Sequence, residues 1–349
     1  MSQTSRERVN RCLRFEHPDR MPRELWVLPW AGDRFPEKLA EINRRYPGDF
    51  GGTVDVYRPS ARIAGDWYSV GRFVDEWGCT FTNIQAGVIG EVRDPLVTDL
   101  ADQSMVHPPY DILPTDWNAA RDAVNRSCAE SDLYIRANAN ARPWERLQFL
   151  RGTMDAMIDV MEGEDGLFRL LRLIHDFYMK EMEFWVSTDV DAVNFMDDWG
   201  SQQQLLIPPP LWRQLFKPLY KDYCDLAHAH GKAIFMHSDG HIAEVYDDLI
   251  EIGVDAVNSQ LFCMDMADLA RRAKGRITFW GEIDRQHVIP AADPQVGRDA
   301  VRQVAQHLYD PAGGIIAQFE LGPGANPDVA LTIFDEWEAV ERDRRSQSC

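Results

Sequence analysis

In the stretch "FMHSDGH", His237 and Asp239 flank a single serine at the point where the apolar run "AIFM" stops. An imidazole and a carboxylate at that spacing in a strand-end turn can aim at one point, where they share a divalent cation or pass a proton. A metal site with a position left for substrate usually takes three protein ligands, so a third has to come from another strand. Glu320, at the end of the last β-rich run, stands at the corresponding place, with Glu282, His287 and His241 as weaker candidates. A plainer reading competes: Asp-Gly is an ordinary turn whose Asp can cap the next helix, and a strand-end His often bonds a loop carbonyl.

Asp197 and Asp198 end another such run, "VDAVNFMDDWG". Adjacent strand residues point to opposite faces, so one of the two is expected to enter the site while the other caps a helix or meets solvent. A carboxylate in a partly buried mouth, its pKa raised, can transfer a proton together with His237. Asp197, Asp198 and His237 are therefore the catalytic candidates, and His237, Asp239 and Glu320 the metal ligands. Arg23, Trp26, Asn258, Glu282 and Gln318 are the candidate substrate contacts. Trp26, Trp30, Trp77, Trp199 and Trp280 form either an aromatic wall or core, core being the commoner role for a tryptophan.

These residues need elements to position them. From about residue 130 onward, short β-rich runs alternate with longer helical ones, the rhythm of βα units. "DLYIRANAN" reads as a strand, and residues 142–187 carry helical periodicity broken at "GEDG". A helix is expected over 209–230, bent by Pro218 and stopped at Gly231, followed by a strand at 233–236 and a helix at 242–252. "VDAVNSQ", "RITFWGEID" and "GGIIAQFELGPG" are the later strands, and the helices between them are "MADLARRAKG" and 293–308. A last helix opens near Pro327. At least five consecutive βα units imply a parallel sheet.

A doubly wound sheet and a (β/α)8 TIM barrel both satisfy that series. No glycine-rich phosphate loop follows an early strand, and the polar residues recur at the C-terminal ends of strands, which in a barrel converge on one rim. The expected fold is one α/β domain over 1–349, a (β/α)8 barrel. Residues 1–130 supply an N-terminal helix with Thr4 and Glu7 spaced for a capping box, the first strand, and a β-rich excursion over the mouth. Within that excursion, "DEWGCTFTNIQAGVIGEVRDPL" alternates like a hairpin.

With 37 basic against 56 acidic residues the formal net charge is −19, which opposes attraction to nucleic acid and anionic membranes. The six cysteines, Cys12, Cys79, Cys128, Cys224, Cys263 and Cys349, show no C-x-x-C pair, so neither a disulfide framework nor a thiolate zinc knuckle is indicated. With no transmembrane-length apolar run, a cytoplasmic protein is expected.

The order-preserved blocks "SRERVNRCLRFEHPDRMP", "DEWGCTFTN", "MDDWGSQQQLLIPPPLWRQLFKPLYKDYCDLAHAHGK", "FMHSDGHIAEVYDDLIEIGVDAVNSQ" and "FWGEIDRQHVI" resemble the uroporphyrinogen decarboxylase superfamily over nearly the whole chain. Within it, the zinc-dependent methyltransferases that serve corrinoid proteins are closest in pattern. The resemblance implies a distorted (β/α)8 barrel, and leaves the reaction open. Decarboxylases of the superfamily carry an arginine-rich segment near the first strand that grips a tetrapyrrole's carboxylates; here that place reads "MPRELWVLPWAG", with Arg23 alone. The methyltransferase branch presents H-x-C on one strand end and a second Cys on the last strand. His237 matches the His, Asp239 falls at the first Cys, and Glu320, seven residues before Pro327, falls at the second.

Both thiolates are thus replaced by carboxylates. A harder donor set leaves a metal more Lewis-acidic and suits an oxygen-bearing substrate better than a thiol; zinc is the expected ion, with manganese or iron also suited. The implied activity is methyl transfer between a small oxygenated substrate and a corrinoid protein, with a homodimer among the expected assemblies. The alternatives are a lyase or decarboxylase of a small substrate using His237 with Asp197 or Asp198, and a noncatalytic ligand-binding barrel.

Overall fold

The computed structural model describes residues 3–139 and 141–347; Asn140, at the end of the expected strand "DLYIRANAN", and Cys349 lie outside the described residues. The first helix, Ser5–Leu13, carries the expected capping box between Thr4 and Glu7. Strand β1 (Arg23–Val27) and the two-residue β2 (Phe50–Gly51) follow, then an excursion of β3 (Gly71–Val74), β4 (Thr80–Asn83) and β5 (Glu91–Asp94). The short β6 (Tyr134–Ile135) precedes β7 (Ala192–Met196), β8 (Ala233–Ser238), β9 (Ala256–Ser259), β10 (Thr278–Trp280) and β11 (Ile315–Leu321).

Six strands form one curled parallel sheet in the order β1-β11-β10-β9-β8-β7, and β2 and β6 form a parallel pair. The pair meets both edges of the sheet through backbone bonds, Asp49 N to Arg23 O (2.9 Å) on one side and Ala137 N to Ala192 O (2.9 Å) on the other. The fold is α/β and TIM-barrel-like. As expected, β4 and β5 pair antiparallel, with β3 as a third strand. The excursion packs Phe81 on Phe149 and Trp77 on Phe177, against helices Pro143–Arg151 and Asp165–Val186.

Helix breaks follow local chemistry. The 209–230 segment divides into Pro209–Leu215 and Lys217–Ala229 at Phe216, shortly ahead of Pro218, whose missing N–H and ring cannot continue the ladder. The 142–187 segment divides at "GEDG" and also at Gly152, where φ is +85°.

Alternation along the strands sorts side chains into two layers. Phe235, Ala192, Ala256, Trp280 and Ile316 gather inside the sheet's curve with Tyr134, while Ile234, Met236, Val193, Val257, Phe279 and Phe319 pack outward under the helices. Val9 and Cys12 of the first helix join the inner group. That helix is tied down by Asp49, a buried carboxylate that accepts from Arg8, Arg20 and Ser5. The five described cysteines are free. Among the described residues no helix is long and apolar enough to cross a membrane.

Candidate active site

The alternation that builds the core also aims the polar residues. With Phe235 inward, His237 is inward as well, and its register partners are Met196 on β7 and Asn258 on β9. The Asn258 amide nitrogen donates to Trp280 O and to Gln318 Oε1 (2.8 Å), which leaves its oxygen as the acceptor facing His237 Nδ1 at 2.6 Å. In neutral His237 the proton therefore sits on Nδ1, and Nε2 presents a lone pair toward Asp198 Oδ1 (3.5 Å) and Asp239 Oδ1 (3.6 Å). An imidazole oriented through its second nitrogen in this way is the arrangement of a metal-binding histidine. Burial by itself would lower the His237 pKa; Asp239 and Asp198 outweigh it and raise it.

Two glycines press the loops that carry the carboxylates together. A Cβ on Gly240 (φ +77°) would stand 2.1 Å from Gly200 O, and one on Gly200 would stand 2.2 Å from His241 N. This approach allows Gly200 N to reach Asp239 O (3.0 Å) and Asp239 N to reach Asp198 Oδ1 (2.9 Å). "DDWG" and "HSDG" are thus one clasp rather than two turns.

Among the described residues, the donor atoms of Asp198, His237 and Asp239 all lie within 4.8 Å of one another, and Glu320 is outside that group. The structure thus groups Asp198, rather than the expected Glu320, with His237 and Asp239. Glu320 is on the inner face of β11, but its Oε1 is held by Arg285 Nη1 at 3.3 Å. Arg285 also bonds Asp239 Oδ2 and lies 3.6 Å from Glu282 Oε1. One guanidinium thus serves three carboxylates, and they raise its pKa against the lowering effect of burial. His241 is paired with Glu244, and His287 is exposed and paired with Asp284.

Asp197 faces away from the site, because the inward positions of β7 are Ala192, Asn194 and Met196. Its carboxylate accepts from Trp144 N (2.9 Å) and Glu145 N (2.7 Å) at the start of helix Pro143–Arg151, and from the Tyr220 hydroxyl (2.6 Å). Burial, then Glu145, pushes its pKa up. It caps a helix, so of the two aspartates expected to transfer a proton only Asp198 reaches the site, and burial and Asp239 raise its pKa. Arg23 is corrected likewise: it points outward, bonding Glu338 of the C-terminal helix (2.8 Å) and lying over Tyr46. Its neighbours in the strand, Glu24 and Trp26, are the inward pair.

Trp26 packs on His237 (5.5 Å) and edge-on to Trp280 (5.2 Å). All three line a cavity of about 580 Å³ with Glu24, Phe50, Arg136, Asn138, Asn194 and Met196. Asn258 and Gln318 lie beneath as buried supports. Glu24, Arg136 and Arg285 were not singled out by spacing; Glu24 was accessible from its parity with Trp26.

Several buried polar atoms of the site have no hydrogen-bond partner within the protein: Asp239 Oδ1, both Glu282 carboxyl oxygens and Gln318 Nε2. Buried polar atoms are normally paired, so these four offer hydrogen-bonding capacity to water or a ligand. Burial pushes the Glu282 pKa to about 8, so this acid keeps its proton at neutral pH. In the unfolded chain it ionises near the ordinary value, so folding stability contributed by the neutral form is lost as pH rises from about 4.5 to about 8. Urea titrations at pH 5 and pH 8.5 should show that fall, and Glu282→Gln should reduce it by up to about 4 kcal/mol; an identical fall in the variant would contradict the assignment.

Residues 74–337 match the family model described as uroporphyrinogen decarboxylase (URO-D). The chain belongs to the uroporphyrinogen decarboxylase family. Among solved structures, a methyltransferase from Methanosarcina mazei aligns with this family member at a TM-score of 0.67 and 15% identity, covering 97% of this chain and 99% of its own. At that identity the likeness is one of fold. A glycosylated endo-β-1,4-xylanase from Gloeophyllum trabeum aligns at a TM-score of 0.43 and 11% identity, covering 94% and 98% of the two chains. No curated protein matches the chain.

Proposed function

We propose that this chain is a metal-dependent methyl-transfer enzyme of the uroporphyrinogen decarboxylase family, moving a methyl group between a small oxygen-bearing substrate and a corrinoid protein. The observation that carries the reading is the His237 ring, turned by Asn258 so that Nε2 faces Asp198 and Asp239 at the edge of a cavity. The donor set fits a divalent ion: one imidazole and two carboxylates, with a buried Asp239 oxygen that makes no hydrogen bond among the described residues. Asp198, His237 and Asp239 would hold it, with zinc following the family pattern and manganese or iron suited to the oxygen donors. Such an ion supplies Lewis acidity toward a substrate oxygen.

The chain's own residues supply the rest. Asn258 fixes the tautomer of His237, and Gln318 holds Asn258. Arg285 balances Asp239 and Glu320 beside the protonated Glu282, so that the carboxylates do not drive the site open. Trp26, Trp280 and Phe50 shape the cavity and exclude water from the substrate body. The family membership and the fold shared with the Methanosarcina mazei methyltransferase support a methyl-transfer reading. For the fold, we read the backbone bonds on either side of β2 and β6 as the closure of a (β/α)8 barrel.

Decarboxylation of a tetrapyrrole rich in carboxylates finds little support in the cavity, whose lining includes Arg136 as its arginine while Arg23 is turned outward. A lyase that relies on Asp197 lacks that group at the site. The test is a mixture of the chain, a corrinoid protein reduced to cobalt(I) and small methyl ethers, in which cobalt(I) takes the methyl group and the ether oxygen leaves as an alcohol with a proton from water, read by the corrinoid absorption spectrum. The expected result is formation of methyl-corrinoid that His237→Ala abolishes; carbon dioxide release without methyl transfer would overturn the reading in favour of a lyase.

A further inference from the structure

We infer that the floor of the cavity binds the carboxylate of a small acid, so that the substrate enters with its acid group down and its methyl-bearing oxygen up. The inference rests on the methyl-transfer reading for the chemistry at the rim, while the binding of the acid rests on the floor residues alone.

Arg136 follows β6 and is bridged to Ala192, whereas His237 is the register partner of Met196, four residues further along the same strand. At roughly 3.3 Å per residue, the two backbone positions differ by about 13 Å of strand rise, yet both side chains line one cavity. Arg136 therefore marks the deep end and His237 the rim.

The hydrogen-bond inventory of the floor is one-sided. Both oxygens of Glu24 are spent: Oε1 accepts from Arg136 Nη2, and Oε2 accepts from Trp280 Nε1 at 2.7 Å. Of the five N–H groups on the Arg136 guanidinium, those on Nε and Nη1 have no partner among the described residues, and the side chain keeps 16% of its surface open. Each Glu24 oxygen thus already accepts one bond while Arg136 keeps unspent donors, so a ligand that brings acceptors matches the charged groups of the floor. Trp280 (4.4 Å) and Phe50 (4.9 Å) cover the guanidinium faces, so its edge is the part presented. A planar guanidinium edge matches a carboxylate in a two-point contact. Glu24 takes one N–H of Nη2, the nitrogen common to both two-point edges, so an acid takes the second Nη2 N–H together with that of Nε or Nη1.

The walls between floor and rim are Trp26, Phe50, Trp280 and Met196, which accommodate an apolar body. A cavity of about 580 Å³ lies within the range of small-molecule sites. The ligand class is a small carboxylic acid with an apolar body and an ether or hydroxyl oxygen at the opposite end.

The experiment is calorimetric titration of the full chain with 4-methoxybenzoate, methoxyacetate and uncharged methoxybenzene. At least one of the two acids should bind, and 4-methoxybenzoate should bind about 10-fold or more tighter than methoxybenzene. Because Arg136→Met alone would strand the Glu24 charge, the decisive variant is Arg136→Met combined with Glu24→Gln. It should weaken acid binding about 10- to 100-fold, as loss of a charged hydrogen-bond pair implies, leave methoxybenzene within about 3-fold, and keep the metal content of the parent. Failure of both acids to bind at millimolar concentration, binding indifferent to probe charge, or acid binding untouched by the double variant would each overturn the inference. A chain without metal that still binds acids through Arg136 would remove the methyl-transfer reading and leave the floor assignment standing.

Discussion

Replacing Arg285 with methionine should cost about 3–5 kcal/mol of stability at neutral pH, the range for removing one partner of a buried ionic cluster. The side chain neutralises Asp239 and Glu320 and approaches Glu282, and without it three carboxyl groups face one another in a confined space. Burial already holds the Glu282 and Glu320 pKa values up, and loss of the cation would raise them further. The penalty should therefore be largest where these groups would ionise, and it should shrink as pH falls and they take up protons. Glu320→Gln in the same chain should recover part of the loss, because it removes one of the repelling charges. Urea denaturation at pH 7.5 and pH 5.5 measures both effects. A variant as stable as the parent at pH 7.5 would mean that Arg285 is not the counter-charge of this cluster.

Gly240→Ala should damage the site through the backbone. The new methyl would stand 2.1 Å from Gly200 O at φ +77°, so strain of the left-handed conformation adds to an overlap that only loop movement relieves. A stability loss of about 3 kcal/mol or more is expected. The same movement would part Asp239 N from Asp198 Oδ1, so metal binding should fall by at least about 10-fold. Gly231→Ala is the control: φ there is +68°, no atom lies within 4 Å of the added Cβ, and only the local strain of about 1–2 kcal/mol applies. Equal effects of the two substitutions on metal affinity would contradict the clasp.

Much of this arrangement was legible in the pattern of residues. The succession of βα units, the parallel sheet and the placement of His237 and Asp239 at a strand end follow from alternating runs and glycine stops. The capping box at Thr4 and the break near Pro218 are local chemistry and were readable for that reason. Strands β2 and β6 were not, because two residues each carry no alternation to detect.

Two of the errors at the site, at Arg23 and Asp197, share one cause, the parity of a strand. Arg23 and Asp197 point outward because Glu24 and Met196, their immediate neighbours, point inward. Counting alternation from Trp26 and from Ala192 would have sent both away from the cavity. Glu320 was placed on the correct face, but spacing along a chain does not reveal a cation arriving from the next loop. Arg285 does so, and the β7 loop, pressed close through Gly200 and Gly240, brings Asp198 in its stead. That contact depends on two backbones meeting, which neither segment announces alone.

Elemental analysis of the chain purified without chelator tests the assignment of Asp198, His237 and Asp239 most directly. About one zinc, manganese or iron per chain is expected, as for an open three-ligand site, reduced to a small fraction in both Asp198→Ala and Asp239→Ala and retained in Glu320→Gln. A parent chain that holds no metal after equilibration with each ion, or one whose metal is lost in Glu320→Gln and retained in Asp198→Ala, would contradict it.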